Sequence, residues 1–133
     1  MEIDLKQRIF NSKGKELRNQ EVKTEKGKTV FEEDGKTPVI EDYGVLRIGD
    51  VFALSLIGTY DEKIDGTKKR KRFLLWQKVE SHIKSKKKLK ISDEEKEILK
   101  NVIDLRYGTL IYGQAINILD PDGGTQEADT DKE

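Results

Sequence analysis

The stretch that most constrains the fold is ISDEEKEILKNVID, residues 91–104. Ser92 with Glu95 three residues later forms the S-x-x-E capping box, in which each side chain accepts from the other residue's backbone amide. Asp93, Glu94 and Glu95 also place negative charge in the first turn, where the helix dipole favours it. Ile98, Leu99, Val102, Ile103 and Leu105 then supply an apolar face at helical spacing. A one-sided helix needs other elements to cover it, and apolar material is scarce. Only 34% of the 133 residues are apolar while 39% are charged, which points to one domain with a small core under a dense layer of charge.

The rest of the chain supplies the cover in pieces. YGTLIYGQAINILD reads as a closing helix with Leu110, Ile111, Ala115, Ile118 and Leu119 turned inward. Pro121 and Gly123–Gly124 end order, and residues 121–133 have the small, acidic composition of a disordered tail. In VLRIGDVFALSLIGTY, the apolar residues Leu46, Ile48, Val51, Phe52, Leu54, Leu56 and Ile57 are too dense for a surface helix. They predict a buried helix over 49–57 stopped by Gly58, although length does not separate it from a buried strand. A longer helix is expected from an N-cap at Thr67 to about Ser85. Phe73, Leu75, Trp76, Val79 and Ile83 share its apolar arc, Leu74 lies outside it, and Arg72 falls near its centre. KSKKKLKI follows as a basic connector with an extended piece at 89–91.

The first 40 residues carry weaker signals. Ile3, Leu5 and Ile9 repeat with a period near two, as in a short strand, and NSKGKEL has turn chemistry. Residues 20–42 hold two more Gly-centred turns, EKGK and EDGK, around the small apolar patch TVF, and read as a loop or hairpin insert. The expected class is α+β, mostly α, with short N-terminal strands or a hairpin followed by about four helices and the acidic tail. One compact domain spans 1–120.

Net charge is zero, but it is strongly segregated. Residues 1–62 carry −3, residues 63–90 carry +10 and residues 91–133 carry −7. The basic block holds two clusters: Lys68, Lys69, Arg70, Lys71 and Arg72, then Lys84, Lys86, Lys87, Lys88 and Lys90. They sit at opposite ends of one helix, about 27 Å apart at 1.5 Å per residue. Cations in a first turn oppose the helix dipole, so helix energetics do not explain the first cluster. Phosphate contact at both ends would explain it, with salt-sensitive and largely sequence-independent binding. Pairing with the acidic first turn of the 92–105 helix or with the −7 block is the structural alternative. KKRKR also matches a nuclear-localisation string, which has meaning only in a eukaryotic cell.

Signals for catalysis are weak. The chain has no cysteine and one histidine, His82, on the flank of an apolar arc where packing explains it. No nucleophile elbow, P-loop or dinucleotide fingerprint occurs. Asp93, Glu94 and Glu97 are accounted for by helix capping and solubility, and DPDGG lacks the spaced glutamate of a calcium loop. No catalytic residue, metal or cofactor is expected, and no small-molecule substrate. The charged start MEIDLKQRIF is unlike a signal peptide, and no apolar run approaches the roughly 20 residues of a membrane span. A cytoplasmic protein without membrane contact is expected.

Four stretches together, LRIGDVFALSLI, KRFLLWQKV, ISDEEKEILKNVI and YGTLIYGQAINILD, resemble a type of small protein encoded by tailed bacteriophages and prophages. That type opens on a short strand with a G-K turn. Its helices read roughly L-x-x-D-V-x-x-x-A-L, K-R-aromatic-x-L-A-x-K-I, L-S-x-E-E-x-x-L-I-K and Y-x-x-L-x-x-G-Q-x-x-x-x-L. The likeness covers residues 1–120, with 20–42 as an insert. It implies a viral origin and a compact, mostly helical unit in the host cytoplasm or associated with a virion, and it offers no catalytic residue. The expected function is then a non-enzymatic protein-interaction module, through another phage or host protein or through self-association, in which Phe31, Leu74, Tyr107 and Tyr112 meet the partner. The alternative is a nucleic-acid-binding accessory protein using the two basic clusters.

Overall fold

The computed structural model describes residues 1–60 and 62–121. The chain is an α+β protein, mostly α, with short strands and four helices. β1 (Glu2–Ile3) leads to β2 (Arg18–Val22), β3 (Thr24–Glu25), β4 (Lys28–Thr29) and β5 (Ile40–Val45). Then come α1 (Ile48–Leu56), α2 (Gly66–Ser85), β6 (Leu89–Lys90), α3 (Asp93–Arg106) and α4 (Thr109–Leu119). The acidic tail expected over 121–133 lies, from residue 122 onward, outside the described residues.

α1 is the centre of the helical body. Ile48, Val51, Phe52, Ala53 and Leu56 are all buried, so it needs cover on every side and packs against both α2 and α3. Asp50 accepts the Arg47 N–H at 3.0 Å and closes its first turn. The Tyr60 hydroxyl donates to the Ser55 carbonyl at 2.6 Å and satisfies one orphan acceptor of its last turn. Gly49 lets the neighbours close in, since a Cβ there would lie 3.1 Å from both Ile83 and the Leu5 carbonyl. α4 packs on α3, and the β1–β6 ladder pairs Glu2 with Lys90 and Ile3 with Leu89.

α3 begins at the capping box its sequence predicts. Ser92 Oγ accepts from Glu95 N–H at 3.1 Å, and Glu95 Oε1 accepts from Ser92 N–H at 2.9 Å. α2 starts earlier than expected. Its N-cap is Asp65, whose carboxylate accepts the Lys68 N–H at 2.9 Å, and Thr67 is already helical. A charged acceptor wins over the threonine hydroxyl where Lys68 and Lys69 crowd the first turn.

The inward faces are narrower than the periodicity implies. Leu75 and Val79 are buried on α2, but Phe73 is 51% exposed and rests on the half-buried Trp76 with ring centroids 5.7 Å apart. Leu105 and Leu110 also lie exposed rather than in the core. They flank the α3–α4 corner at Tyr107–Gly108, where no further element packs over them among the described residues. Each helix here has one or two neighbours, so only the middle of each apolar arc is covered.

The main departure from expectation is in the first 45 residues. The short strands or hairpin expected there form a branched antiparallel ribbon, and the ladder that carries the 20–42 segment runs from Arg18 to Val45. β2 pairs with β5, Glu21 opposite Glu41 and Val22 opposite Ile40. Two three-way junctions shape the ribbon. At the root, Ile9 N–H donates to Leu46 O (3.0 Å), Leu46 N–H to Leu17 O (2.8 Å) and Leu17 N–H to Ile9 O (2.8 Å). A hairpin over 10–16 branches there. At the far end, Lys23 N–H donates to Val39 O (2.8 Å), Val39 N–H to Val30 O (2.9 Å) and Val30 N–H to Lys23 O (2.9 Å). Two tip hairpins, 24–29 and 31–38, branch from this second ring. The 24–29 tip turns at Lys26 and Gly27, both with positive φ (52° and 78°), the signature of a type I′ turn. From residue 10 to residue 45 no residue is buried. The core is drawn entirely from residues before and after this arm.

Candidate interaction surfaces

The two basic clusters behave differently. In the first, Arg72 is drawn to Glu62 at 2.6 Å, with its side chain only 14% exposed, and Lys71 pairs with Glu94 at 3.2 Å. Both cations face carboxylates; Lys71 meets the acidic first turn of α3, as the structural alternative had it, whereas the partner of Arg72 lies outside both acidic regions that alternative named. Lys68, Lys69 and Arg70 are exposed and make no ion pair among the described residues. The Arg72–Glu62 pair, with Ile64 beside it, divides two shallow clefts of about 390 and 380 Å³. Lys68 and Lys71 border the α3 side, and Lys69 borders the α1 side. The cluster fans around the helix instead of forming one plane.

In the second cluster, Lys84, Lys86, Lys87 and Lys88 are exposed without an ion pair among the described residues, while Lys90 lies 3.5 Å from Glu2. Lys84 sits in the last turn of α2 and Lys86 is its C-cap at φ 57°. These positive charges suit the negative end of the dipole. At 100° per residue Arg70, Leu74, Gln77, Ser81 and Lys84 form one outward row, and all five are exposed. On this row both clusters contribute to one face of α2. His82 is half-buried, its Nδ1 2.7 Å from the Lys78 carbonyl. Lys78 itself reaches Glu95 at 3.0 Å, tying α2 to the capping box of α3. Burial opposes ionisation of Glu95, but the Ser92 amide and Lys78 outweigh it and hold the carboxyl below its usual range.

Of the residues expected to meet a partner, Phe31 and Leu74 are exposed and Tyr107 and Tyr112 are half-buried. Sequence reasoning missed the arm's own surface. Its paired residues Val22 and Ile40 stand 46% and 51% exposed, and Phe31 opposite Pro38 continues that apolar face towards the tip. Nearer the root, Arg18 donates to both Asp42 oxygens at 2.9 and 3.3 Å and Gln20 adds a third bond. The Arg18 hydrogen bond holds the Asp42 carboxyl below its usual range. On the opposite face Glu21 and Glu41 lie directly across the ladder, a like-charge pairing that costs stability. The Tyr43 hydroxyl donates to Glu41 at 2.9 Å, and that bond to a carboxylate raises the phenol's pKa.

Gln114 fastens the root of this arm to the helical body. Its Oε1 accepts the Phe10 N–H at 2.9 Å, and its Nε2 donates to the Phe10 carbonyl at 2.8 Å and to Leu110 O at 3.2 Å. The side-chain amide thus pairs with one backbone unit as a strand would. A glutamine on a mostly apolar helix was the available signal, and nothing in its spacing named the partner.

No family model matches the chain, and no curated protein or solved structure matches it. Among the described residues, no helix is long and apolar enough to cross a membrane.

Proposed function

We propose that this chain is a non-enzymatic protein-interaction module of phage or prophage origin, acting in the host cytoplasm or in an assembling virion, and that the branched β-arm is its docking element. One observation carries the reading. Residues 10–45 contain no buried side chain, yet they display Phe10, Val22, Phe31, Ile40 and Tyr43 to solvent. Ordering each residue costs about 1–2 kcal/mol of backbone entropy, and the arm returns to the free protein only Leu17 at its root, half-buried against the core. Exposed apolar surface on an ordered, projecting element is the signature of a contact surface. The test is a photoreactive residue at Val22 or Phe31 in the full chain, with Asp93 as a distant exposed control. Discrete adducts with one protein, or with a second copy, from the arm positions alone are expected. Equal labelling from Asp93, or no adduct from the arm, would remove the basis for the proposal.

A second reading is favoured by a separate observation, the exposed Lys84, Lys86, Lys87 and Lys88 at the end of α2, which make no ion pair among the described residues and of which Lys84 shares a helix row with Arg70. Non-specific phosphate contact there would give nucleic-acid binding with a steep salt dependence. An electrophoretic mobility assay at low and physiological salt decides it. Absence of any shift of DNA or RNA at low salt sinks this reading and leaves the first intact.

A further inference from the structure

Between β2 and the α3–α4 corner lies a cleft of about 210 Å³. Its wall on the arm side is made by five consecutive residues, 17–21, and by none of the β5 residues. Successive strand residues point to opposite faces. A wall that includes every one of them is therefore the edge of the strand rather than a face. β2 has only one strand partner, so this edge is open. The Lys23–Val39 bond sets the phase of the ladder and turns the Gln20 amide outward, towards the cleft. The opposite wall is apolar, with Leu54 from α1, Ile111 from α4 and the Tyr107 ring. Arg106 stands at its rim, its guanidinium 5.5 Å from the Tyr107 ring centroid and without an ion pair among the described residues.

Resting on the interaction-module reading, we propose that this cleft binds an extended peptide of another protein by strand addition to the free edge of β2. The peptide's backbone pairs with β2 around Gln20. An apolar side chain fills the space against Leu54 and Ile111, and a carboxylate meets Arg106. Charge complementarity and size select this occupant. A volume of about 210 Å³ takes about one large side chain, so the peptide backbone lies along the open edge of β2 and one residue enters, whereas the two-stranded arm of a second copy is too bulky. The chain's own residues 122–133, DGGTQEADTDKE, carry carboxylates but no large apolar residue to fill the cleft. The carboxylate is a side chain or a peptide C-terminus, two sources with one chemistry.

A displayed library of random peptides panned against the immobilised full chain tests this. Enriched peptides should share an apolar residue and a carboxylate at fixed spacing. On binding they should slow hydrogen exchange at the Gln20 amide. Gln20→Pro removes the outward donor while leaving the β5 ladder its bonds, and Arg106→Glu reverses the rim charge. Each should weaken the selected peptides at least about tenfold, with near-UV circular dichroism confirming that the variants fold. Amidated and free C-termini separate the two carboxylate sources. Selected peptides that bind both variants as tightly as the parent, or that leave Gln20 exchange unchanged, would overturn the proposal. So would displacement of those peptides by a synthetic 122–133 peptide that itself binds the cleft. Photoadducts from Phe31 alongside failure of the cleft tests leave the arm as the module's docking element, whereas loss of both removes the two readings together.

Discussion

Excising the arm is the most informative perturbation of this fold. Leu17 and Leu46 are joined by a backbone hydrogen bond of 2.8 Å, so replacing residues 18–45 by Asn-Gly closes the gap with a two-residue turn. No residue of the deleted segment is buried, and every buried hydrophobic residue remains. The Ile9–Leu46–Leu17 ring and the Gln114 bonds to Phe10 also remain. What disappears is a ribbon held by its own ladder, an exposed Arg18–Asp42 pair that solvent screens and the repulsion between Glu21 and Glu41. The expected change in unfolding free energy is within about 1 kcal/mol of zero. A single buried leucine cut to alanine costs about 2–5 kcal/mol, which sets the scale for comparison. Urea denaturation followed by tryptophan fluorescence at Trp76 measures it, and the m-value should fall because less surface is exposed on unfolding. A loss above about 3 kcal/mol, or a molten product, would show that the arm is a structural part of the body and refute the separation of roles.

Gln114→Ala should destabilise the protein by about 0.5–1.5 kcal/mol, since the exposed Phe10 amide and carbonyl exchange their partner for water; thermal denaturation reads this, and faster hydrogen exchange at Phe10 localises it. Glu95→Gln should cost about 1 kcal/mol at neutral pH through the capping box and Lys78. The wild-type carboxyl titrates below its usual range, so its contribution is complete above the unfolded-state value and disappears as pH falls through the folded-state one. The stability gap between wild type and variant, followed by denaturation from neutral to acid pH, should therefore close on the acid side. Lys26→Asn should stabilise the 24–29 tip by a few tenths of a kcal/mol, because asparagine tolerates the left-handed conformation that lysine occupies at φ 52°; slower exchange at the Lys28 amide, which closes the turn opposite Glu25, without a change in global stability would show it.

What the sequence revealed follows the range of the interactions involved. The α3 capping box is complete within residues 92–95, and α1 announces itself by apolar density, so both appear where expected. Arg72 stood out as a charge on an apolar arc, and its partner Glu62 lies on the connection leading into α2. Phe73, Leu105 and Leu110 satisfy helical periodicity but not coverage, because periodicity says which residues align and not whether a neighbour arrives to bury them. The arm was nearly silent. Its pairings join Arg18 to Val45 and Ile9 to Leu46 through backbone groups that every residue possesses, and its turns were the only local trace. The cleft against β2 combines a strand edge with side chains from positions 54 to 111, a juxtaposition that no window along the chain contains.

The two hydrogen-bonded rings have a further consequence. Each branch of the arm leaves its ring and returns to it, so each hairpin is a closed excursion from a fixed pair of chain positions. Residues added or removed at the 10–16, 24–29 or 31–38 tip alter that tip alone and transmit no register shift to β2–β5 or to the body. A strand in a continuous sheet has no such freedom, because a one-residue slip turns every side chain to the other face. The architecture therefore offers three separately adjustable lengths on one stem.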